Sequence, residues 1–116
     1  MRTLWASPAT EDSPSFGRCL THVQAPPAPD NEPRRLARLQ GYTILDTDPD
    51  TNFDALTALA ALITETPIAL VSLVDAARQW FKSRVGLAAS ETPRDISLCG
   101  HVVADGKPLV VADAML

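Results

Sequence analysis

Apolar residues are sparse and without period up to Pro29, and then fall into patterns whose period changes along the chain. Asp30 to Gln40 reads as a short helix with Leu36, Leu39 and Ala37 as its apolar stripe. Asp30 or Asn31 can accept its first free N–H groups, Pro33 suits its first turn, and Gly41 is a C-terminal stop. A turn follows, with Asp48 ahead of Pro49 biased away from helix. Asp50 or Thr51 then caps a longer helix to about Glu65, ended by Pro67. Its residues Phe53, Leu56, Leu59, Ala60 and Ile63 recur at helical spacing, so this wide stripe is expected to meet a sheet.

Ile68 to Val74 is β-branched and nearly all apolar, which predicts a strand buried on both faces. Asp75 to Arg78 is the turn of an antiparallel hairpin. Its second strand, Gln79 to Val85, alternates, with Gln79, Phe81, Ser83 and Val85 on one side and Trp80, Lys82 and Arg84 on the other. Gly86 to Asp95 reads as a loop, and Asp95 as the cap of a short helix from Ile96 to about Ala104. After a turn at Asp105 to Pro108, Leu109 to Asp113 is expected to be the third strand. No internal repeat is visible.

Composition narrows the class. The chain has 116 residues, of which 46% are hydrophobic and 21% charged, with a net charge of −4. That allows one domain at most. Residues 1–29 are rich in Pro, Ser, Thr and Ala, too poor in apolar surface to offset ordering entropy, and read as a disordered leader. Arg34, Arg35 and Arg38 are the one local basic cluster, far from the stripe that nucleic-acid binding needs. The apolar run from Pro67 to Val74 is too short for a bilayer, and the N-terminus lacks the apolar stretch of a secretory signal. A cytoplasmic location is expected. Cys19 and Cys99 lie in dissimilar settings, with no disulfide framework and no paired metal-ligand spacing.

Several blocks then carry a family likeness. RLARLQGYTILDTDPD (Arg35 to Asp50), FDALTALAA (Phe53 to Ala61), PIALVSLVD (Pro67 to Asp75), RQWFKSRVGL (Arg78 to Leu87), ETPRDISLCGH (Glu91 to His101) and PLVVADA (Pro108 to Ala114) occur in order and at natural spacing. Together they resemble the first half of a GAF domain, of the subgroup at the N-terminus of bacterial histidine kinases and diguanylate cyclases. Leu98 stands where that subgroup usually has Phe, and Gly100 where Ala is common. The resemblance implies an α/β (α+β) fold: a GAF/PAS-like antiparallel sheet flanked by helices, incomplete at the C-terminus. Residues 30–116 are then the N-terminal half of the domain. It also implies a sensory or regulatory role in bacterial signal transduction, with a histidine kinase or diguanylate cyclase output outside this chain. One branch of the family, the free methionine sulfoxide reductases, uses the fold for cysteine redox chemistry, which makes a redox enzyme the alternative reading, with a non-functional fragment as the other.

Ser72, Phe81, Ser83, Cys99 and His101 are the candidate ligand contacts. Ser72 is a lone hydroxyl in an apolar strand, the kind of group that orients a ligand on an apolar wall, although a bond within the sheet accounts for it more simply. Cys99 and His101 invite a catalytic reading, but residues two apart on a helix point about 200° apart, so they form no dyad. Packing of a small thiol and of a backbone-bonded imidazole are their plainer roles. Trp80, Lys82 and Arg84 read as a solvated face, with Trp80 on the stems of its cationic neighbours. Asp95 as a cap with Arg94 as its ion-pair neighbour would fix the loop over the sheet. The DTDPD run lacks the central Gly and terminal Glu of a calcium loop. The chain is thus expected to be no enzyme, with no catalytic residue and no metal. The cofactor is unspecified. Its expected partners are a small-molecule ligand and a second copy joined through helices, and neither nucleic acid nor inserted membrane.

Overall fold

A computed structural model describes residues 24–113; the expected leader up to residue 23, Cys19 within it, and the end of the last block at Ala114 lie outside the described residues. The elements are α1 (Glu32–Gly41), α2 (Thr51–Thr64), β1 (Ala69–Val74), β2 (Arg78–Val85), β3 (Glu91–Pro93), a 3-10 turn (Arg94–Ile96) and α3 (Leu98–Asp105). The three strands form one antiparallel sheet in the order β1-β2-β3. The expected α/β (α+β) class, an antiparallel sheet flanked by helices, is the one observed. No helix among the described residues is long and apolar enough to cross a membrane.

The ends of the helices follow local chemistry with three departures from expectation. Pro33 lies in the first turn of α1, but neither Asp30 nor Asn31 caps it with a side chain. Gly41 is the last helical residue, not the left-handed stop; the left-handed residue there is Thr43. At α2, Asp50 accepts the Asn52 N–H at 2.8 Å, and Glu65 ends the helix in the left-handed region, ahead of Pro67. At α3 the cap is Ser97, which accepts the Gly100 N–H at 3.0 Å, and Asp95 is exposed in the preceding turn. Ser97 wins because it is the residue just before the helix, where a side-chain oxygen reaches the third N–H.

The third strand of the sheet is also a correction. It is Glu91–Pro93, inside the expected loop, paired to Arg78, Gln79 and Trp80. Leu109 to Asp113 does not join the sheet as a strand; Val111 makes a single bridge. Proline at the end of β3 is tolerated because an edge position needs no donor. Gly86 closes β2 with φ +75°, and a Cβ there would run into the Pro67 carbonyl oxygen, so only glycine fits this crossing.

The largest departure is in β2. Val71 pairs with Ser83 and Ser72 with Phe81, so Lys82 is an extra residue in a β-bulge. One inserted residue reverses the side-chain alternation beyond it. Gln79 and Phe81 therefore share the face of Ser72, whereas Ser83 and Val85 fall on the opposite face with Val71. The expected grouping of Gln79, Phe81, Ser83 and Val85 on one side is broken in the middle. Nor is Trp80, Lys82, Arg84 a solvated face: Trp80 and Lys82 are buried, and only Arg84 is exposed. Strand β1, expected to be buried on both faces, is mostly half-buried, with Val74 its one buried residue.

Helix α2 covers one face of the sheet and α3 the other. Against the sheet α2 sets Phe53, Thr57 and Ala61, one residue per turn, with Thr57 only 2% exposed. The stripe expected to do this points outward instead: Leu56, Leu59 and Ile63 are exposed.

Candidate functional site

The α3 face of the sheet holds a polar cluster. The Cys99 thiol sulfur accepts from Ser72 Oγ at 3.5 Å and from Gln79 Nε2 at 3.2 Å. Ser97 Oγ donates to Gln79 Oε1 and accepts the Gly100 N–H. Gln79 and Ser97 are buried, and Phe81, opposite Ser72 in the register, is buried on the same face. Gln79 is the hub: its two ends hold the helix cap and the thiol, and so fix where α3 starts on the sheet. Gly100 leaves room for the segment ahead of α1 to lie on α3, since a Cβ there would meet Pro26. His101, the next residue in the chain, lines an open hollow of about 270 Å³ with Pro27, Asp105, Lys107 and Leu109.

The α2 face holds a different arrangement. Thr57 Oγ1 and Ser83 Oγ lie 2.8 Å apart, and Ser83 Oγ donates to Asp54 Oδ1 at 2.5 Å. Ser83 gives its one proton to Asp54 and so offers Thr57 only a lone pair, for which the Phe53 and Asp54 carbonyls, 3.3 and 3.0 Å from Thr57 Oγ1, compete. Beside it Lys82 reaches back to the loop before α2, with Nζ donating to Thr47 Oγ1 at 2.7 Å and to the Asp48 carbonyl at 2.6 Å. The same ammonium lies 5.9 Å from the centre of the Phe53 ring, within cation–π range. A hollow of about 310 Å³ opens here, lined by Asp54, Thr57, Lys82, Ser83, Arg84 and Leu87.

The five sequence candidates are thus not one site. Ser72, Phe81 and Cys99 come together on the α3 face; Ser83 lies on the other face, and His101 borders its own hollow. Sequence reading missed Gln79, Ser97, Thr57 and Asp54. Thr57 carried a signal, as a lone hydroxyl on the inward line of an otherwise apolar helix, and Gln79 another, as an uncharged polar group in a buried strand. Among the described residues no group of three or more His, Cys, Asp and Glu is placed to hold a metal.

Two ionic networks tie the loops down. Glu32 accepts from Arg35 at 2.7 Å through both oxygens and also pairs with Arg94, which itself donates to the Asp75 and Ala76 carbonyls. The hydrogen bond from Arg35, then that from Arg94, holds the Glu32 carboxyl down at about 2. Arg94 therefore pairs with Glu32, not with Asp95 as expected, and joins α1 to the hairpin turn. Arg78 gathers Asp46 at 2.6 Å, Glu91 at 2.7 Å and Asp75 at 3.3 Å. The bond to Asp46 lowers that carboxyl from its usual range and holds a residue whose φ is +58°.

No protein-family profile matches the chain. A cyclic di-GMP phosphodiesterase of Pseudomonas aeruginosa is 37% identical over 94 residues, which is 81% of this chain and 16% of that protein. The chain thus spans about one sixth of the length of the relative it matches. The expectation that the chain is no enzyme is corrected by this similarity, because a protein that matches 81% of this chain is named for an enzymatic activity. A sequence read for its own side chains gave no view of that activity.

Proposed function

We propose that residues 24–113 form a GAF-type regulatory module of cyclic di-GMP turnover, in a phosphodiesterase that this chain forms or helps to form. The observation that carries the proposal is the 37% identity over 94 residues to a cyclic di-GMP phosphodiesterase. Of the outputs expected from the sequence, this relative favours the cyclic di-GMP side over a histidine kinase. The motif blocks from Arg35 to Ala114 and the antiparallel sheet with helices on both faces support the GAF reading. The sensing step is proposed at the α3 face. There a small molecule in the hollow beside His101 would press on a helix whose position depends on Gln79, Ser97 and Cys99. The proposed compartment is the cytoplasm.

The test is hydrolysis of cyclic di-GMP by the protein carrying this chain, wild type against Gln79→Leu. Hydrolysis by the wild type and a several-fold change of rate in the variant are expected. No hydrolysis by the wild type, or identical rates in both, would count against the proposal.

A further inference from the structure

We infer that Gln24 to Pro29 forms a releasable strap across the start of α3, and that its docking through Pro26 keeps the cluster of Gln79, Ser97 and Cys99 closed. The strap passes a pull on the chain ahead of it to that face of the sheet, whatever output the chain serves.

Two points hold the strap. At Pro29 the carbonyl accepts the Glu32 N–H at 3.0 Å, which ties the strap to the first turn of α1. At Pro26 the ring lies on Gly100. A Cβ added to that glycine would stand 3.1 Å from the Pro26 Cβ and closer still to its Cγ. Pro26 and Pro29 are half-buried, whereas Gln24, Ala25, Pro27 and Ala28 are exposed. Among the described residues, none from Gln24 to Ala28 makes a hydrogen bond. Pro26, Pro27 and Pro29 have no N–H to offer. On one side Ala25, Pro26 and Ala28 border an open hollow of about 360 Å³ beside Ala76 and Ala77, so the strap is not packed there. A segment held by one ring, with exposed backbone and no ladder of hydrogen bonds, belongs to the part of a fold that opens locally at little cost. Its prolines restrict the free chain, so docking again orders few bonds.

The ring covers a bond on which the α3 face depends. Gly100 is the one buried residue of α3, and its N–H donates to Ser97 Oγ at 3.0 Å, which is the helix cap. Ser97 Oγ donates in turn to Gln79 Oε1, and Gln79 Nε2 donates to Cys99 Sγ. With Pro26 in place water is kept from the first link. Once the strap lifts, water competes for the Gly100 N–H, and a hydrogen bond exchanged with water contributes little net stability. Loosening then runs from Gly100 through Ser97 and Gln79 to Cys99. Glycine inside a helix is unfavourable beside alanine, and the slot it leaves for Pro26 accounts for its use here.

The test is alkylation of Cys99 in the full 116-residue chain, read by mass on the peptide that carries it. Wild type, Gly100→Ala, Pro26→Gly and the double variant are compared, with circular dichroism checking the fold. Helix propensity alone predicts that Gly100→Ala slows the labelling several-fold. The strap predicts the opposite sign. The added Cβ evicts Pro26, and labelling is expected to speed up at least about threefold through local opening of α3. Pro26→Gly, which lies outside every helix and strand, should speed it by a similar factor. The double variant should be no faster than the faster single one, since a strap already released cannot be evicted. Slower or unchanged labelling in Gly100→Ala overturns the inference, as does unchanged labelling in Pro26→Gly, or single effects that multiply in the double variant. Should Gly100→Ala fail to fold, Pro26→Gly decides alone.

Discussion

On one face of the sheet lies a fourteen-residue helix, and on the other an eight-residue one, and the two are attached by different chemistry. Helix α2 touches the strands along Phe53, Thr57 and Ala61 and is locked by one hydroxyl relay, while its richest apolar stripe faces away. Helix α3 is short, and its attachment depends on Gln79 grasping Ser97 and Cys99 together. On the α2 side a polar relay selects which of two apolar stripes turns inward. Leucines pack acceptably in many orientations, but Thr57, Ser83 and Asp54 bond in only one. On the α3 side the polar groups are the attachment itself, joining Gln79 to Ser97 and Cys99 and Ser72 to Cys99.

The largest test of that contrast is Gln79→Leu. It leaves the buried Ser97 hydroxyl and the Cys99 thiol without their partner, and should cost about 2 kcal/mol. Urea unfolding measures the cost. Labelling of Cys99 by a thiol reagent should speed up at least about tenfold as α3 loosens, by the arithmetic of local opening. Unchanged labelling would mean that α3 is held by apolar packing after all.

Thr57→Val should cost less, about 1 kcal/mol, because Ser83 keeps its bond to Asp54 and the valine fills the same space. Its effect should stay on the α2 face, with Cys99 labelling as in the wild type. Faster labelling would show that the two faces are coupled through β2.

The effect furthest from either face is expected on acid stability. Glu32 has an ordinary pKa of 4.5 and is held at about 2 in the fold, so its contribution is fully present above 4.5 and lost as pH falls from there toward 2. Unfolding followed across that interval should show a fall in stability that flattens in Glu32→Gln. Glu32 bonds α1 to the hairpin through Arg94 and touches neither face cluster, so Cys99 labelling should not change with it.

Much of the fold was legible in the sequence, for local reasons. The helix over Thr51–Thr64 follows from its 3.6 period and the Asp50 cap, and the hairpin from two β-rich runs flanking a short turn. The errors within the sheet share one cause, which is that strand registry is a property of two chain segments at once. Lys82 reads as an ordinary alternating residue until β1 is laid beside β2; then it is the bulge, and Ser83 changes sides. The candidate set of Ser72, Phe81, Ser83, Cys99 and His101 was split by that single inserted residue. Glu91–Pro93 read as loop because three residues with a proline carry no strand signal, and they become a strand only by meeting Arg78, Gln79 and Trp80.

The sequence by itself determined the first four elements in order and both ends of α2, because caps, turns and hydrophobic period act over a few neighbouring residues. Only the tertiary structure decided which side of α2 faces the sheet, which strand completes the sheet, and that Gln79 is the hub on which α3 rests. Those choices turn on hydrogen bonds between residues far apart in the chain, and a buried polar group has one partner geometry that no local pattern records.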